Sequence, residues 1–376
     1  MTLALLVVAG LVARSLSAAR GANVGFRTSG LAILSTDPGM ARYDDAAARA
    51  FWDRALERVR ALPDVENAAF AERVPFSLNF SEQQFHIPGQ ASPGDRGFTI
   101  QVTRVSPEYF ETMGVPILQG RAFLASDKPE SPGVVVVNEA FARRFWPGQS
   151  ALGQRIHLRA PDGPAFEIVG VSADHRVQSV GEGAVPYVHF SRTQQSDSYQ
   201  VLVARARGDA GRLLAGLRQE LLAMEPNLVF LDNQTMETQV AGTLLPVQAG
   251  AWLASVVGMV ALALAAIGLY GVVAYSVARR TREIGVRMAL GADRRRVMGM
   301  VLRQGFSLVA TGLVLGGLLA AVGLRGLSGV LYGVGLADPL AWCAAALALA
   351  LAAAAANAIP AHRATQVNPS EALRAE

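Results

Sequence analysis

The 376-residue chain contains one lysine, Lys128, and one cysteine, Cys343. A single cysteine excludes a disulfide framework, and the long segment before residue 240 has core enough to need none. The lysine sits in SDKPE, whereas a phosphate-binding loop needs a glycine-rich turn ending in Gly-Lys-Ser/Thr. The five histidines (His86, His157, His175, His189 and His362) are scattered, with no pair at three- or four-residue spacing, so no metal site is expected. SADHR around His175 invites an acid–base idea but reads better as a strand end with a surface histidine. A Gly-x-Ser-x-Gly elbow is missing too. The chain is therefore expected to hold no cofactor and no catalytic centre of its own.

Charge is absent in blocks. No charged side chain occurs over 240–278, 306–324 or 339–361. Each run exceeds the roughly 18 apolar residues that mark a membrane-spanning helix. The last is almost pure alanine and leucine, without the polar face of a soluble helix. Spans are expected at about 249–277, 306–324 and 339–359. Near the N-terminus, TLALLVVAGLVA is apolar for only 12 residues, roughly 18 Å of helix against a hydrocarbon core of about 30 Å. Residues 1–19 read as a partial first span whose start lies upstream. The alternative is a signal peptide cut within SLSAARGA, although no basic segment precedes the apolar run.

The charge that remains is sorted. The formal net charge of +4 and a pI near 9.6 invite a nucleic-acid partner. Residues 20–242, however, carry a net −3, whereas 278–304 hold eight arginines against Glu283 and Asp293, a net +6. The basic excess is thus one short loop between spans, and nucleic acid is excluded as its partner. Such a loop faces the cytoplasm by the positive-inside rule, which puts 20–246 on the other side of the bilayer.

That large segment alternates strand and helix signals. GLAILSTD and VENAAFAE read as strands around a helix with Ala48, Phe51, Trp52, Ala55, Leu56, Val59 and Leu62 on one face. YQVLVARA and NLVFLD flank a second helix, with Asp209 as its N-cap and Leu213, Leu214, Leu217 and Leu221 along it. The two units resemble each other and read as one lobe, with about 108–190 as a second, inserted lobe. Within the insert, FARRFWPG reads as aromatic packing of a short helix with a solvated face at Arg143 and Arg144. A stacking platform for a ligand is the weaker reading.

The basic stretch, ARRTREIGVRMALGADRRRVMGMVLRQ, reads as a helical elbow. Glu283 and Arg287 stand four apart in the favourable order, Gly291 suits a helix stop and Asp293 the next N-cap. It serves either to orient the protein or to transmit a push. In the spans, Gly312 and Gly316 form one small-residue face, and Ala346, Ala350 and Ala354 another, which let helices approach closely in lipid.

REIGVRMALGA resembles the signature loop of the FtsX/MacB-type ABC transporter permeases, and PAHRATQVNPSEALR resembles their tail. VSPEYFETMGVPILQGRAF, VVVVNEAFARRFWPGQSALGQRI and EIVGVSAD are similar to the MacB-like periplasmic core domain, closest to the duplicated acidobacterial-type permeases. The resemblance implies four spans, a two-lobed α+β domain between the first and second (20–246), and an FtsX-like permease domain (247–376) with a cytoplasmic coupling loop at 278–304. Arg282, Glu283, Ile284, Gly285, Arg287, Ala289, Leu290 and Gly291 fall on the family's loop and would form the ATPase-coupling surface. The implied setting is the bacterial inner membrane. The implied partners are a cytoplasmic ABC ATPase holding ATP and Mg, a second protomer or second half of a duplicated permease, and a periplasmic adaptor with an outer-membrane channel. Three departures stand out: the incomplete first span, no fused ATPase, and one copy of the unit that duplicated members carry twice. The function implied is efflux or extraction of a substrate from the periplasmic side. A non-transport membrane sensor, or an FtsX-like regulator of periplasmic hydrolases, is the alternative.

Overall fold

A computed structural model of the chain describes residues 1–77, 79–90, 97–195, 198–280, 283, 294–323 and 334–364. It divides into two compact units, Met1–Gly21 with Leu244–Glu376, and Ala22–Thr243.

In the second unit, β1 (Leu31–Thr36), α2 (Asp45–Arg60) and β2 (Val65–Ala71) form the first strand–helix–strand unit, and β10 (Gln200–Ala206), α5 (Ala210–Met224) and β11 (Phe230–Thr235) form the second. The two interleave. The order is β11-β1-β10-β2 with every neighbour antiparallel, so each unit's strands are separated by a strand of the other. Neither unit could bury its sheet alone, because β10 is buried along its whole length. The helices start where their caps dictate: the Asp44 carboxylate accepts from Ala47 N–H at 2.7 Å, and Asp209 from Arg212 N–H at 2.8 Å. Both cover one face of the sheet. Phe51, Trp52, Ala55 and Val59 of α2 meet Leu213, Leu217 and Leu221 of α5 over Phe70 and Leu202. Trp52 is fully buried between Phe51 and Phe70, with centroids 5.3 and 5.0 Å away, and its indole N–H donates to Ser198 O at 2.7 Å.

The remaining strands make a second lobe. These are β3 (Ser81–His86), β4 (Phe98–Val105), β5 (Ile117–Gly120), β6 (Gly133–Asn138), β7 (Arg155–Leu158), β8 (Ala165–Ser172) and β9 (Tyr187–Ser191), with short helices α3 (Tyr109–Met113) and α4 (Glu139–Phe145). Pairing runs β4-β3-β7-β8-β6-β9 and returns to β4, a closed six-stranded barrel. Its interior is filled by Phe85, Ile100, Val135, Phe166, Val188 and Phe190. The expected insert at about 108–190 is therefore too short. β3 and β4 belong to the barrel, yet β3 buries only Phe85 and β4 only half of its eight residues, Thr103 among them, so their apolar signal is sparse. The lobes meet where β2 pairs with β4 at Ala71 and Val105, and the buried Glu72 takes a 2.7 Å bond from Arg104 beside that pair.

The α/β unit ends on α6 (Met236–Thr243), and the first unit is a bundle of α1 (Thr2–Arg20), α7 (Leu245–Arg279), α8 (Arg294–Gly323) and α9 (Pro339–Ala364). Among the described residues, four helices are long and apolar enough to cross a membrane: α1, α7, Gly305–Gly323 within α8, and Pro339–Pro360 within α9. α1 is longer than its 12-residue apolar run. It continues through Arg14, whose guanidinium pairs with Asp338 at 3.1 Å, while Asp338 also caps α9 by accepting from Ala341 N–H at 3.0 Å. Leu3, Val7 and Leu11 of α1 pack on Ala320, Ala341 and Ala345. Large apolar side chains face outward, with Trp252 74%, Leu264 64% and Leu318 62% exposed, the inverse of a water-soluble bundle.

Replacing Trp52 with alanine removes the largest buried side chain of the interleaved lobe. The variant is expected to lose about 3–5 kcal/mol, seen as a lower urea midpoint in pulse proteolysis of the α/β unit in the full chain.

Candidate functional site

The site indicated by the sequence is the basic elbow between α7 and α8. Glu283 is described; it is helical and exposed. Arg282, Ile284, Gly285, Arg287, Ala289, Leu290 and Gly291 lie outside the described residues. The flanking helices define what the site hangs from. Trp252 and Tyr275 are both exposed on α7 and stand about 35 Å apart along it at 1.5 Å per residue, the spacing of two membrane interfaces. Arg279 lies with its guanidinium 5.7 Å from the Tyr275 ring centroid, so the charge begins where the hydrocarbon ends. On the returning side, the sequence again places arginines, Arg294, Arg295 and Arg296, ahead of the charge-free run.

Small residues set how α1 meets its neighbours. A Cβ at Gly316 would stand 3.2 Å from Leu3 Cβ, one at Gly258 3.4 Å from the Leu6 side chain, and one at Gly10 3.5 Å from Ala341 Cβ. Gly312 has nothing within 4 Å and lines an open cleft of about 210 Å³. Ala346, Ala350 and Ala354 are half-buried, while the buried alanines of α9 are Ala341, Ala345 and Ala353. The structure thus places Gly316 in a helix contact within the bundle and leaves Gly312 at its surface. Gly10 lacks any small partner at four-residue spacing, and Gly258 has only Ala254. Asn357 is fully buried in α9, opposite Gly305, whose missing side chain leaves room for it.

In the α/β unit, Phe141, Phe145 and Trp146 are core residues. Arg143 pairs with Glu139 at 2.9 Å and Asp174 at 2.7 Å, and Arg144 lies 5.1 Å from the Phe145 centroid. FARRFWPG is accordingly a packed helix with a salt-bridged face. His175 corrects the sequence reading. It is 4% exposed, not a surface residue, and its ring lies 5.5 Å from that of the fully buried His189. The two are fourteen positions apart in sequence, so only the fold brings them together. Burial pushes the His175 imidazole down to about 4 and holds His189 well below the ordinary histidine value.

Four membrane-length helices joined to a two-lobed α/β domain define a multi-span membrane protein with a large extracytoplasmic domain. Its family follows from comparison. Residues 2–219 match the MacB-like periplasmic core domain and residues 255–369 the FtsX-like permease C-terminal domain, and the chain belongs to this MacB/FtsX-like family of ABC transporter permeases. An uncharacterized ABC transporter permease, YvrN of Bacillus subtilis (strain 168), is 26% identical over 80% of this chain and 75% of that protein. The macrolide export ATP-binding/permease protein MacB of Sodalis glossinidius (strain morsitans) is 28% identical over 75% of this chain, which spans only 44% of that protein's length. Among solved structures, the periplasmic region of MacB from Actinobacillus actinomycetemcomitans covers 60% of this chain and 95% of its own at 10% identity, with a TM-score of 0.39.

Two glycines on one face of α8 give opposite expectations. Gly316→Leu should lower the thermal midpoint of the detergent-solubilised protein, at a cost of about 1–3 kcal/mol for overpacking. Gly312→Leu should leave it unchanged, because the cleft has room.

Proposed function

We propose that the chain is the permease subunit of a MacB/FtsX-like ABC system, working with a separate cytoplasmic ATPase that binds ATP and Mg. The observation that carries this reading is the concentration of positive charge in one short elbow, on the motif Arg282 to Gly291, between two charge-free runs, 240–278 and 306–324. ATP-driven closure of the ATPase pushes the elbow, the two helices tilt, and the extracytoplasmic lobes change their spacing. A push of this kind needs two discrete arrangements that the partner binds with different affinity.

The spans offer little to a polar substrate. Among the described residues of these helices, the buried polar side chains are Ser15 and Asn357. Work on a substrate already outside the inner membrane, through efflux or extraction, fits that better than a conduit through this bundle. A second protomer, or the second half of a duplicated permease, would pair with the outward apolar surface, and a periplasmic adaptor with an outer-membrane channel would complete an export route.

The test is an affinity pull-down of the full chain in detergent, with mass spectrometry of its partners. A Glu283→Arg, Leu290→Asp variant is run beside it after membrane insertion is checked. A P-loop ATPase recovered with the native elbow and lost with the variant is the expected result. Absence of any ATPase with the native chain would turn the elbow into a topology signal and remove the transport reading.

A further inference from the structure

The outer wall of the barrel carries a group of side chains that the coupling mechanism does not use. His189 on β9 lies between Thr103 of β4 and Val136 of β6. Tyr109 and Phe110 of α3 cover it, with ring centroids 6.0 and 5.0 Å away. Tyr187 approaches to 5.0 Å on the same strand. His175, in the loop after β8, closes the group against His189, Tyr187 and Phe26, at 5.5, 5.6 and 6.4 Å. Both nitrogens of His189 and Nδ1 of His175 are buried without a hydrogen-bond partner. A neutral imidazole tolerates this at some cost; an imidazolium there would be favoured by the backbone of Ala173 at His175 and of Val136 at His189, less than burial opposes it.

His175 also lines a cavity of about 330 Å³ with Asn23, Gly25, Asp174, Arg176 and Gly183. One wall of that cavity is the segment that leads from α1 into the α/β unit. Arg176 N–H donates to Val24 O at 2.8 Å, and Gly25, at φ +85°, approaches so closely that a Cβ there would stand 2.7 Å from His175 Cα. The segment is thus latched onto the histidine loop by one backbone bond and one glycine contact.

We propose that His175 and His189 form an acid-sensitive latch, and that their protonation releases the 22–27 segment from the loop at 174–185. Protonation of either ring puts a cation among aromatic walls and against the other ring. The route to water runs through the cavity, so His175 turns outward and displaces Gly25. Nearby charge compensates too little in place: Asp174 favours the charged form of His175, but less than burial opposes it. The Asp174 carboxylate is engaged by Arg143 and Ala140 N–H, both at 2.7 Å. Arg176 is a cation on the cavity wall. Tyr109 and Tyr187 stay neutral, because burial raises both. Glu72 and Arg73 lie beyond Tyr187 and act on it in opposite directions. Arg27 turns instead toward Gly114.

The pH window follows from linkage. The open segment leaves histidine near its ordinary value of about 6.5, while the closed His175 is held down to about 4 by burial. Closure is fully favoured above about 6.5 and weakens as pH falls, since the open state takes up the protons that the closed state refuses. For His175 alone the closed-to-open ratio falls about thirtyfold between pH 7.5 and 5, and His189 adds to it in the same direction.

Hydrogen–deuterium exchange of the full chain in detergent tests this, read as protection factors at pH 7.5, 6.5 and 5. Amides of 22–27 and 174–185 are expected to lose at least about tenfold protection at pH 5 relative to β1 and β10. A His175→Gln, His189→Phe variant should show no such loss. Protection that stays flat in the native chain, or falls equally in the variant, overturns the latch. Should the variant be unprotected already at pH 7.5, exchange at histidine C2–H in the native chain decides: midpoints below about 5 for both rings support the latch, and ordinary midpoints overturn it.

Discussion

Carrying charge into hydrocarbon costs about 2.5–3.5 kcal/mol for an arginine at the middle of a span, and the chain is organised around that cost. Three stretches are cleared of charge completely, which pushes the arginines to their ends and concentrates eight of them in one elbow. Where an arginine falls inside an apolar helix, it is answered directly, as Arg14 is by Asp338. Clearing the spans has a second effect. Leucine gains nothing by facing leucine rather than lipid, so the bundle is held by close approach. Gly10, Gly258 and Gly316 are where α1 comes nearest its neighbours.

The α/β unit answers a different requirement. Its first and last strands are neighbours, with Ala32 opposite Thr235, and Gly30 N–H donates to Glu237 at 3.1 Å. Entry to and exit from the domain therefore lie together at one edge of one sheet. A displacement applied at that edge is felt by β1 and β11 at once, and β10 ties both to β2. The barrel joins at the far side of this sheet through β2 and β4. Its closed strand cycle and aromatic interior suit it to move as a body.

Much of this was legible in the sequence, because strong periodicity and clean charge sorting are local signals. The interleaved helices were visible from Phe51, Trp52, Leu213 and Leu217, and their starts from the cap at Asp209. The barrel was half visible. β6 is a continuous valine run, but β3 and β4 show the barrel core only Phe85, Ile100 and Val102 among polar neighbours, so the insert read as beginning too late. His175 was misread for a related reason. Nothing within a few residues indicates that β9 and Phe26 will cover it, and burial of a polar ring is a tertiary fact. The elbow is the reverse case: its motif is plain in the sequence, whereas of Arg282 to Gly291 the structure describes only Glu283.

The central claim is that the basic elbow and the α/β domain lie on opposite sides of one membrane. The direct measurement is labelling with a membrane-impermeant maleimide in a Cys343→Ala background, with a cysteine placed at Asp162 or at Arg287. In spheroplasts, Asp162→Cys should be labelled at once and Arg287→Cys only after lysis. Labelling of both, or of Arg287→Cys alone, before lysis would contradict the account.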